Sequence, residues 1–356
     1  MENKIATDKF QKAQESLVTQ QSDFSLKTIE QMVLGKAIDL APHYQRRDRW
    51  TNDKQSALIE SFILNVPVPP VYLSEEEYGN YSVIDGKQRI TSISNFLGDK
   101  FKLTDLKRFP ELNGLTFSQL PQTIINALSI RPYVRVVTLL RQSDPNLKYE
   151  VFLRLNTGGE DLTPQEIRNV AYSGSLNDLL FELSGNSILR LKLKITDEKS
   201  NAFKKMSDIE HVLRFFTLRS KWSTMGGFLA DEMDRFMLEN RKLDATTISE
   251  FRNIFNTAIE RCNAIWPSTA FCKPIENGWR EQLISPLYDA QMVSVSFLTD
   301  IQYQSIISKS VNQRKRIIED LYREPDFNKA VSQATNNRSN VRLRIQRLID
   351  SLQTLV

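Results

Sequence analysis

Hydrophobic positions in the first half of the chain change their spacing several times. From Phe24 to Leu40 apolar residues recur every three or four positions, which predicts a helix, and the segment from Asp53 to Leu64 repeats that pattern. Short apolar runs bounded by turn residues predict strands at Val71–Leu73, Tyr81–Ile84, Phe101–Leu103 and Tyr133–Val137. Helices mixed with such strands favour the α+β class, with a small mixed sheet and packed helices.

The second half of the chain has helical spacing almost throughout. Apolar residues recur at three and four positions in several stripes, and the stretch from Val341 to Leu355 is amphipathic. We therefore expect three parts: a lead-in over residues 1–23, an α+β domain over 24–174, and an all-helical domain over 175–356 that ends in a basic segment.

Composition places the chain among globular proteins, with 40% hydrophobic and 25% charged residues. No apolar run approaches the roughly 20 residues that cross a bilayer, and residues 1–17 lack the apolar core of a signal peptide. We therefore expect a cytoplasmic protein with no membrane partner. The two cysteines, Cys262 and Cys272, are predicted to be buried thiols, because a disulfide framework or zinc site needs more partners.

Positive charge is concentrated at the C-terminal end. The net charge of the whole chain is +4, yet the stretch from Lys309 to Val356 holds ten Lys or Arg residues against five Asp or Glu. Such a segment could contact the phosphates of nucleic acid, or it could form the solvated side of a helix pair. The sequence leaves both interpretations open.

The chain has only two histidines, His43 and His211. A His-Asn-His nuclease site or a zinc site with several histidines cannot be assembled from them. Hydrolytic chemistry would have to use carboxylates, amides and basic side chains around a hard ion such as Mg²⁺.

The segment Asp85-Gly86-Lys87-Gln88-Arg89 is the richest candidate site. It joins a predicted strand to a predicted helix, and a glycine at such a junction allows a sharp turn. The positive end of the helix dipole then favours an anion such as phosphate. Lys87 and Arg89 add charge, Gln88 an amide, and Asp85 a carboxylate for a metal ion or water. The ordinary alternative is a plain Asp-Gly turn followed by solvated side chains.

A second glycine-rich stretch has a structural interpretation. The segment Lys148–Leu155 is helical in pattern and is followed by Asn156-Thr157-Gly158-Gly159, a strong helix stop. Thr163 then suits the N-cap of a new helix, with Pro164 in its first turn and Glu166 at the capping-box position.

Four blocks of sequence occur in an order that resembles a known family. They are Tyr44-Gln45-Arg46 with Trp50, Leu58–Ser61 with Pro67–Leu73, Asp85–Arg89, and Phe152–Gly159 with Leu162 and Glu166. Together they resemble the DUF262 family, the N-terminal domain of GmrSD-type modification-dependent restriction enzymes and phage-defence proteins. The helical segment that begins at Asp208 also resembles the part that commonly follows this domain.

The resemblance implies a ParB/sulfiredoxin-like fold, whose members bind nucleoside triphosphates. Within that family Gly86, Gln88 and Arg89 would contact phosphate, with Lys87 beside them, and Asp85 would orient the turn or a metal-bound water. Arg46 would supply a second cation and Gln45 would help to position it. Asn156 matches the asparagine near which the related fold places Mg²⁺ and phosphate.

The chain departs from the family pattern in two respects. Lys87 stands where the family commonly has glutamine, which leaves base or sugar specificity open. The His-Asn-His nuclease domain of many relatives is missing. The resemblance therefore implies a stand-alone, sensor-like member, or one subunit whose nuclease is another polypeptide.

Three functions follow as hypotheses. The leading one is a DNA-associated switch in phage defence or modification-dependent restriction that binds, and in one version hydrolyses, a nucleoside triphosphate with Mg²⁺. In the hydrolysing version Asp85 and Arg89 would be catalytic; an oligomer is compatible with either version. The second is a Mg²⁺-dependent DNA endonuclease that uses Asp85, Glu60 or Glu166. The third is a non-enzymatic module that binds DNA or a protein.

Overall fold

The computed structural model describes residues 6–7, 10–11, 14–40, 50–155 and 163–356. The chain divides into two compact units, residues 1–171 and residues 172–356. A five-stranded sheet lies in the first unit, and helices dominate the second. The predicted α+β class is confirmed.

The first unit contains strands and helices in alternation. Its strands are β1 (Thr19–Ser25), β2 (Ile38–Asp39), β3 (Val71–Glu77), β4 (Asn80–Asp85) and β5 (Tyr133–Leu139). Its helices are α1 (Leu26–Leu34), α2 (Asn52–Ile63), α3 (Lys87–Leu97), α4 (Gln122–Ile130), α5 (Pro145–Leu155) and α6 (Pro164–Ala171).

The strands form a mixed sheet in the order β1-β5-β3-β4-β2. The hairpin β3–β4 is antiparallel, whereas β3 pairs with β5 and β4 pairs with β2 in parallel. Strand β1 closes the far edge by antiparallel pairing with β5. Helices α1, α2 and α3 share one core with this sheet, to which Leu26, Ile59, Val71, Leu73, Ile90 and Ile93 belong.

Two predictions of secondary structure in this unit are wrong. The helix predicted over Phe24–Leu40 ends at Leu34, because the chain turns at Gly35 and Lys36 takes a left-handed φ of 58° before β2 begins. The segment Phe101–Leu103 is not a strand. Its two apolar residues are buried as in a strand, but Leu103 exchanges backbone hydrogen bonds with Gly114 and Leu115 of a nearby loop.

The second unit is built mainly from helices. They are α7 (Ser175–Ser184), α8 (Ser187–Lys192), α9 (Asn201–Lys204), α10 (Ser207–Lys221), α11 (Leu229–Glu239), α12 (Ala245–Ile265), α13 (Ser285–Val295), α14 (Asp300–Ser308), α15 (Val311–Arg323), α16 (Pro325–Ser332) and α17 (Arg338–Gln353). None of the helices in the described ranges combines the length and the apolar run that crossing a membrane requires.

The prediction that this half is all-helical is wrong, because it also contains a hairpin. Strands β6 (Cys272–Ile275) and β7 (Gly278–Leu283) pair in antiparallel fashion around a two-residue turn. Gly278, which directly follows the turn residues Glu276 and Asn277, has a φ of +128°, a backbone conformation that glycine allows without strain. The glycine after an asparagine was the hairpin signal in the sequence.

Helix α13 lies at the centre of the second unit. Every residue from Pro286 to Val295 is buried, and α10, α12 and α17 pack around it. The predicted burial of both thiols is confirmed: Cys262 on α12 and Cys272 on β6 are free and buried. Because α13 has no solvent-facing side, its one charged residue, Asp289, must be neutralised inside the core.

Candidate functional site

The junction of β4 and α3 is a sharp turn that only glycine can form. β4 ends at Asp85, Gly86 takes a left-handed φ of +94°, and α3 begins at Lys87. A Cβ atom on residue 86 would lie 2.7 Å from Cγ2 of Val71 and 3.1 Å from Nη2 of Arg89. Both backbone conformation and space therefore require glycine, and the strand–glycine–helix arrangement expected from the sequence is present.

Asp85 and Arg89 are joined across this turn. Oδ1 of Asp85 accepts a hydrogen bond from the Gly86 N–H at 2.7 Å, and Oδ2 accepts one from Nη2 of Arg89 at 2.7 Å. The same Nη2 donates to the Pro70 carbonyl oxygen at 3.1 Å. The Arg89 side chain is 14% exposed and that of Asp85 is 36% exposed. The guanidinium is therefore fixed against the turn, while the carboxylate remains open to solvent.

One nitrogen of Arg89, Nε, is buried and has no hydrogen-bond partner in the described part of the first unit. A buried N–H without an acceptor is costly unless a further group supplies one. The arginine therefore has hydrogen-bonding capacity beyond its contacts with Asp85 and Pro70.

Gln88 holds the backbone of Trp50. Its Oε1 accepts a hydrogen bond from the Trp50 N–H at 3.1 Å, and Nε2 of Gln55 donates to the Trp50 carbonyl oxygen at 3.1 Å. Trp50 is thus hydrogen-bonded on both sides of its backbone. It directly follows the segment that contains Gln45 and Arg46 in the sequence.

The structure brings five of the predicted site residues together. Asp85, Gly86, Lys87, Gln88 and Arg89 occupy one turn and the first turn of α3. The other three predicted residues, Gln45, Arg46 and Asn156, lie outside the described residues.

Glu60, named in the endonuclease hypothesis, holds a loop rather than joining Asp85. Its Oε1 accepts hydrogen bonds from the backbone N–H groups of Arg108 at 2.7 Å and Phe109 at 3.3 Å. Burial would raise the pKa of this carboxyl, but the backbone hydrogen bonds outweigh it and lower the pKa below its ordinary value. The Glu60 carboxylate therefore stabilises the loop that follows Leu106 by accepting its backbone hydrogen bonds.

Glu166 closes a capping box, as predicted. The Thr163 N–H donates to Oε2 of Glu166 at 2.7 Å, and the Glu166 N–H donates to Oγ1 of Thr163 at 3.2 Å. In the described part of the chain no three His, Cys, Asp or Glu side chains form a group that could hold a metal ion. The described residues therefore provide no acidic cluster for the endonuclease hypothesis.

Five of the ten basic side chains between Lys309 and Val356 are bonded to other groups of the second unit. Nη1 of Arg314 donates to the Ala264 carbonyl oxygen at 2.7 Å, and Nη2 of Arg342 to that of Met225 at 2.9 Å. Three more are paired with acids: Arg323 with Asp320, Arg347 with Glu324, and Arg344 with Asp289. Part of this positive charge is therefore engaged within the unit, and it offers less to a nucleic acid than the sequence count implies.

The second unit contains a buried charge cluster that sequence reasoning missed. Nη2 of Arg214 lies 2.5 Å from Oδ2 of Asp289, and Nη2 of Arg344 lies 2.7 Å from the same oxygen. Burial would raise the pKa of Asp289, but the two guanidinium charges outweigh it and hold that pKa below its ordinary value. Burial lowers the pKa of Arg344 to about 10.

His211 lies on the same helix as Arg214 and packs beside this cluster. Its Nε2 is 3.0 Å from Oγ of Ser285, and Nδ1 is 2.5 Å from the Ser207 carbonyl oxygen. Burial, together with the charge of Arg214, lowers the pKa of His211. The imidazole is thus held neutral at ordinary pH and serves as a hydrogen-bonded part of the core.

Comparison with known proteins finds a family model that matches most of the first unit. Residues 29–173 match the model of the family described as the GmrSD restriction endonuclease, N-terminal domain. This range contains the Asp85–Arg89 turn together with Gln45, Arg46 and Asn156. No curated protein and no solved structure matches the chain.

Proposed function

From the match of residues 29–173 to the family described as the GmrSD restriction endonuclease, N-terminal domain, we propose that the chain is a nucleoside-triphosphate-binding switch. The triphosphate would bind at the turn between β4 and α3. The switch would act on DNA in restriction or phage defence, together with a nuclease on another polypeptide.

The conformation of Gly86 and its contact with Arg89 support this proposal most strongly. A left-handed glycine at a helix N-terminus has no Cβ of its own in the way of a bound anion. The Arg89 guanidinium lies directly against that glycine, so the turn combines a backbone N–H, a helix dipole and a fixed positive charge. Phosphate is the ligand chemistry that suits this combination.

The other residues of the site have roles within the same proposal. Lys87 would add charge at the first position of α3, and Gln88 would position the preceding segment through Trp50. Arg46 would bind the phosphates from that segment, with Gln45 beside it. In the hydrolysing version of the switch, Asp85 and Arg89 would be catalytic.

Mg²⁺ suits the acids and amides of this site. Mg²⁺ usually takes one or two protein carboxylates and completes its shell with water and the oxygens of substrate phosphates. The partly exposed carboxylate of Asp85 would be one such ligand, and the Asn156 amide would be a second. The ion would neutralise part of the charge of the triphosphate.

Thermal unfolding of the full chain tests the proposal. We expect ATP, GTP, CTP or UTP, each with Mg²⁺, to raise the melting temperature. A ligand at one hundred times its Kd adds about 2.7 kcal/mol, which corresponds to roughly 5–10 °C for a unit of this size. The variant Arg89→Gln should lose the shift, because a neutral amide replaces the guanidinium.

Arg135→Gln provides the matched control. Arg135 pairs with Asp23 across β1 and β5, both side chains are exposed, and β5 lies two strands from β4. This variant should keep the full shift of the wild type. Absence of a shift with all four nucleotides would contradict the proposal, and so would a full shift in Arg89→Gln. Turnover of radiolabelled triphosphate by the wild type then separates hydrolysis from binding alone.

A further inference from the structure

The carboxylate of Asp85 occupies the donors that a phosphate would use. Its Oδ1 accepts the Gly86 N–H and its Oδ2 accepts Nη2 of Arg89, each at 2.7 Å. A carboxylate and the edge of a phosphate group present the same pair of acceptor oxygens to such donors. In this conformation the turn is therefore filled by an anion of its own chain.

This arrangement has an electrostatic consequence for any phosphate ligand. A phosphate that reached Gly86 and Arg89 would lie within a few ångströms of the Asp85 charge, and the two anions would repel each other. The phosphate could enter only if Asp85 turned away or if a cation neutralised its charge. Its 36% exposure means that Asp85 can turn toward solvent without crossing the core.

Arg89 would remain in place during such an exchange. Its Nη2 is also bound to the Pro70 carbonyl oxygen, and its side chain is mostly buried against Gly86. Its buried Nε lacks an acceptor in the described part of the chain, so a second anionic oxygen would find a donor there. The movable partner of the pair is therefore the aspartate.

We infer that Asp85 is an internal competitor which makes the turn selective for phosphate that arrives with a divalent cation. This inference rests on the function proposed above. The cation takes the Asp85 carboxylate, and the phosphate takes the Gly86 N–H and the Arg89 guanidinium that the carboxylate leaves. Free phosphate without a cation binds more weakly, because the Asp85 charge then remains beside it.

The test measures binding of inorganic tripolyphosphate to the full chain by calorimetry, once with Mg²⁺ and once with EDTA. This probe has no base or sugar, so its binding reports the phosphate site alone. The wild type should bind at least about tenfold more weakly in EDTA, because the repulsion between the Asp85 carboxylate and the polyphosphate remains. Asp85→Asn keeps an acceptor oxygen for the Gly86 N–H and removes the charge. It should bind in EDTA about as well as with Mg²⁺.

Asp23→Asn is the matched control. Asp23 also forms an ion pair with an arginine in the same unit, Arg135, and it lies on β1. β1 and β4 are three strand spacings apart in the sheet, about 14 Å. Asp23→Asn should therefore keep the magnesium dependence of the wild type. Asp85→Ser serves as a second variant if circular dichroism shows that Asp85→Asn does not fold.

The outcomes separate this inference from the proposed function. Equal wild-type affinity in EDTA and Mg²⁺ would overturn the inference alone, because Asp85 would then not compete. An unchanged magnesium dependence in Asp85→Asn and Asp85→Ser would do the same. If neither the wild type nor any of the variants binds tripolyphosphate or nucleotide under either condition, the proposed function itself is overturned.

Discussion

The two units each contain an arginine–aspartate group, and the groups differ in depth and in number of partners. In the first unit Asp85 meets one arginine and one backbone N–H, and it is 36% exposed. In the second unit Asp289 is fully buried and meets two arginines, Arg214 and Arg344. Arg344 is bonded in turn to backbone carbonyl oxygens, including that of Thr335.

The difference indicates which ion pair can exchange partners. Separating the buried group would leave a charge in the core, where solvation is poor and the cost is several kcal/mol. Separating Asp85 from Arg89 exposes the carboxylate to water, which solvates it well. The same chemistry is therefore structural around Asp289 and exchangeable at Asp85.

The largest effect should come from removing the charge of Asp289. We expect Asp289→Asn to lower the free energy of unfolding by about 3–5 kcal/mol, because two buried guanidinium groups lose their counter-charge. Asp85→Asn should cost about 1 kcal/mol or less. Urea unfolding followed by circular dichroism measures both values.

Glu182→Gln is the control for the second unit. Glu182 forms a two-point ion pair with Arg252 at 2.6 and 2.8 Å, but both side chains are well exposed. Loss of this ion pair should lower the free energy of unfolding by at most about 1 kcal/mol. Equal costs for Asp289→Asn and Asp85→Asn would remove the distinction between a structural and an exchangeable pair.

A smaller effect is expected at the glycine that supports Asp85 and Arg89. Gly86→Ala should lower the free energy of unfolding by about 2–4 kcal/mol, because it adds the strain of a left-handed alanine and a clash with Val71. Gly79→Ala is the matched control, since Gly79 has a φ of +80° and no atom within 4 Å of the added Cβ. It should cost only the backbone strain, about 1–2 kcal/mol.

The double variant Val71→Ala/Gly86→Ala refines this measurement. Removing the Val71 methyl groups relieves the clash, so the two changes should be less costly together than the sum of their separate costs. Additive costs in urea unfolding would mean that the contact with Val71 does not limit the turn.

The smallest effect concerns pH and the second unit. The folded state lowers the pKa of His211 through burial and the charge of Arg214, against the opposing effects of the Ser207 carbonyl, Glu210 and Asp289. The unfolded chain therefore binds the proton more readily than the folded one. Stability should be complete above a pH of about 6.5 and should fall as pH decreases below it, by at most about 1.4 kcal/mol per pH unit.

Urea unfolding between pH 7.5 and 5 checks this expectation. His211→Gln should flatten the decline, because the group that takes up the proton is gone. His43→Gln should behave as the wild type if His211 alone is responsible. An unchanged decline in His211→Gln would assign the pH dependence to another group.

The parts of the fold that depend on local sequence were predictable. The capping box of Thr163 and Glu166 spans four residues, and the strand, glycine and helix around Gly86 are contiguous. β1 was missed because its sequence is polar and mostly exposed, and it becomes a strand only through pairing with β5. Tertiary partners decided its structure, as they did for Phe101–Leu103.

The candidate site divides in the same way. The spacing of Asp85 and Arg89 by four residues allowed both to be placed at one turn from the sequence. Nothing in the sequence indicated that the aspartate would occupy the Gly86 N–H, or that Pro70 would hold the arginine. The cluster joins Asp289 to Arg214 and Arg344, which lie 75 and 55 positions away in the sequence, so no local sequence pattern predicts it.

The hydrogen bond between Gln88 and Trp50 places an optical reporter beside the turn. Trp50 is the one tryptophan within residues 1–171, and the other three, Trp222, Trp266 and Trp279, belong to the second unit. Its indole is partly buried against the core, and its backbone is bonded to the residue that precedes Arg89. With phenylalanine at the other three positions, the emission of a single fluorophore would follow events at the turn in real time.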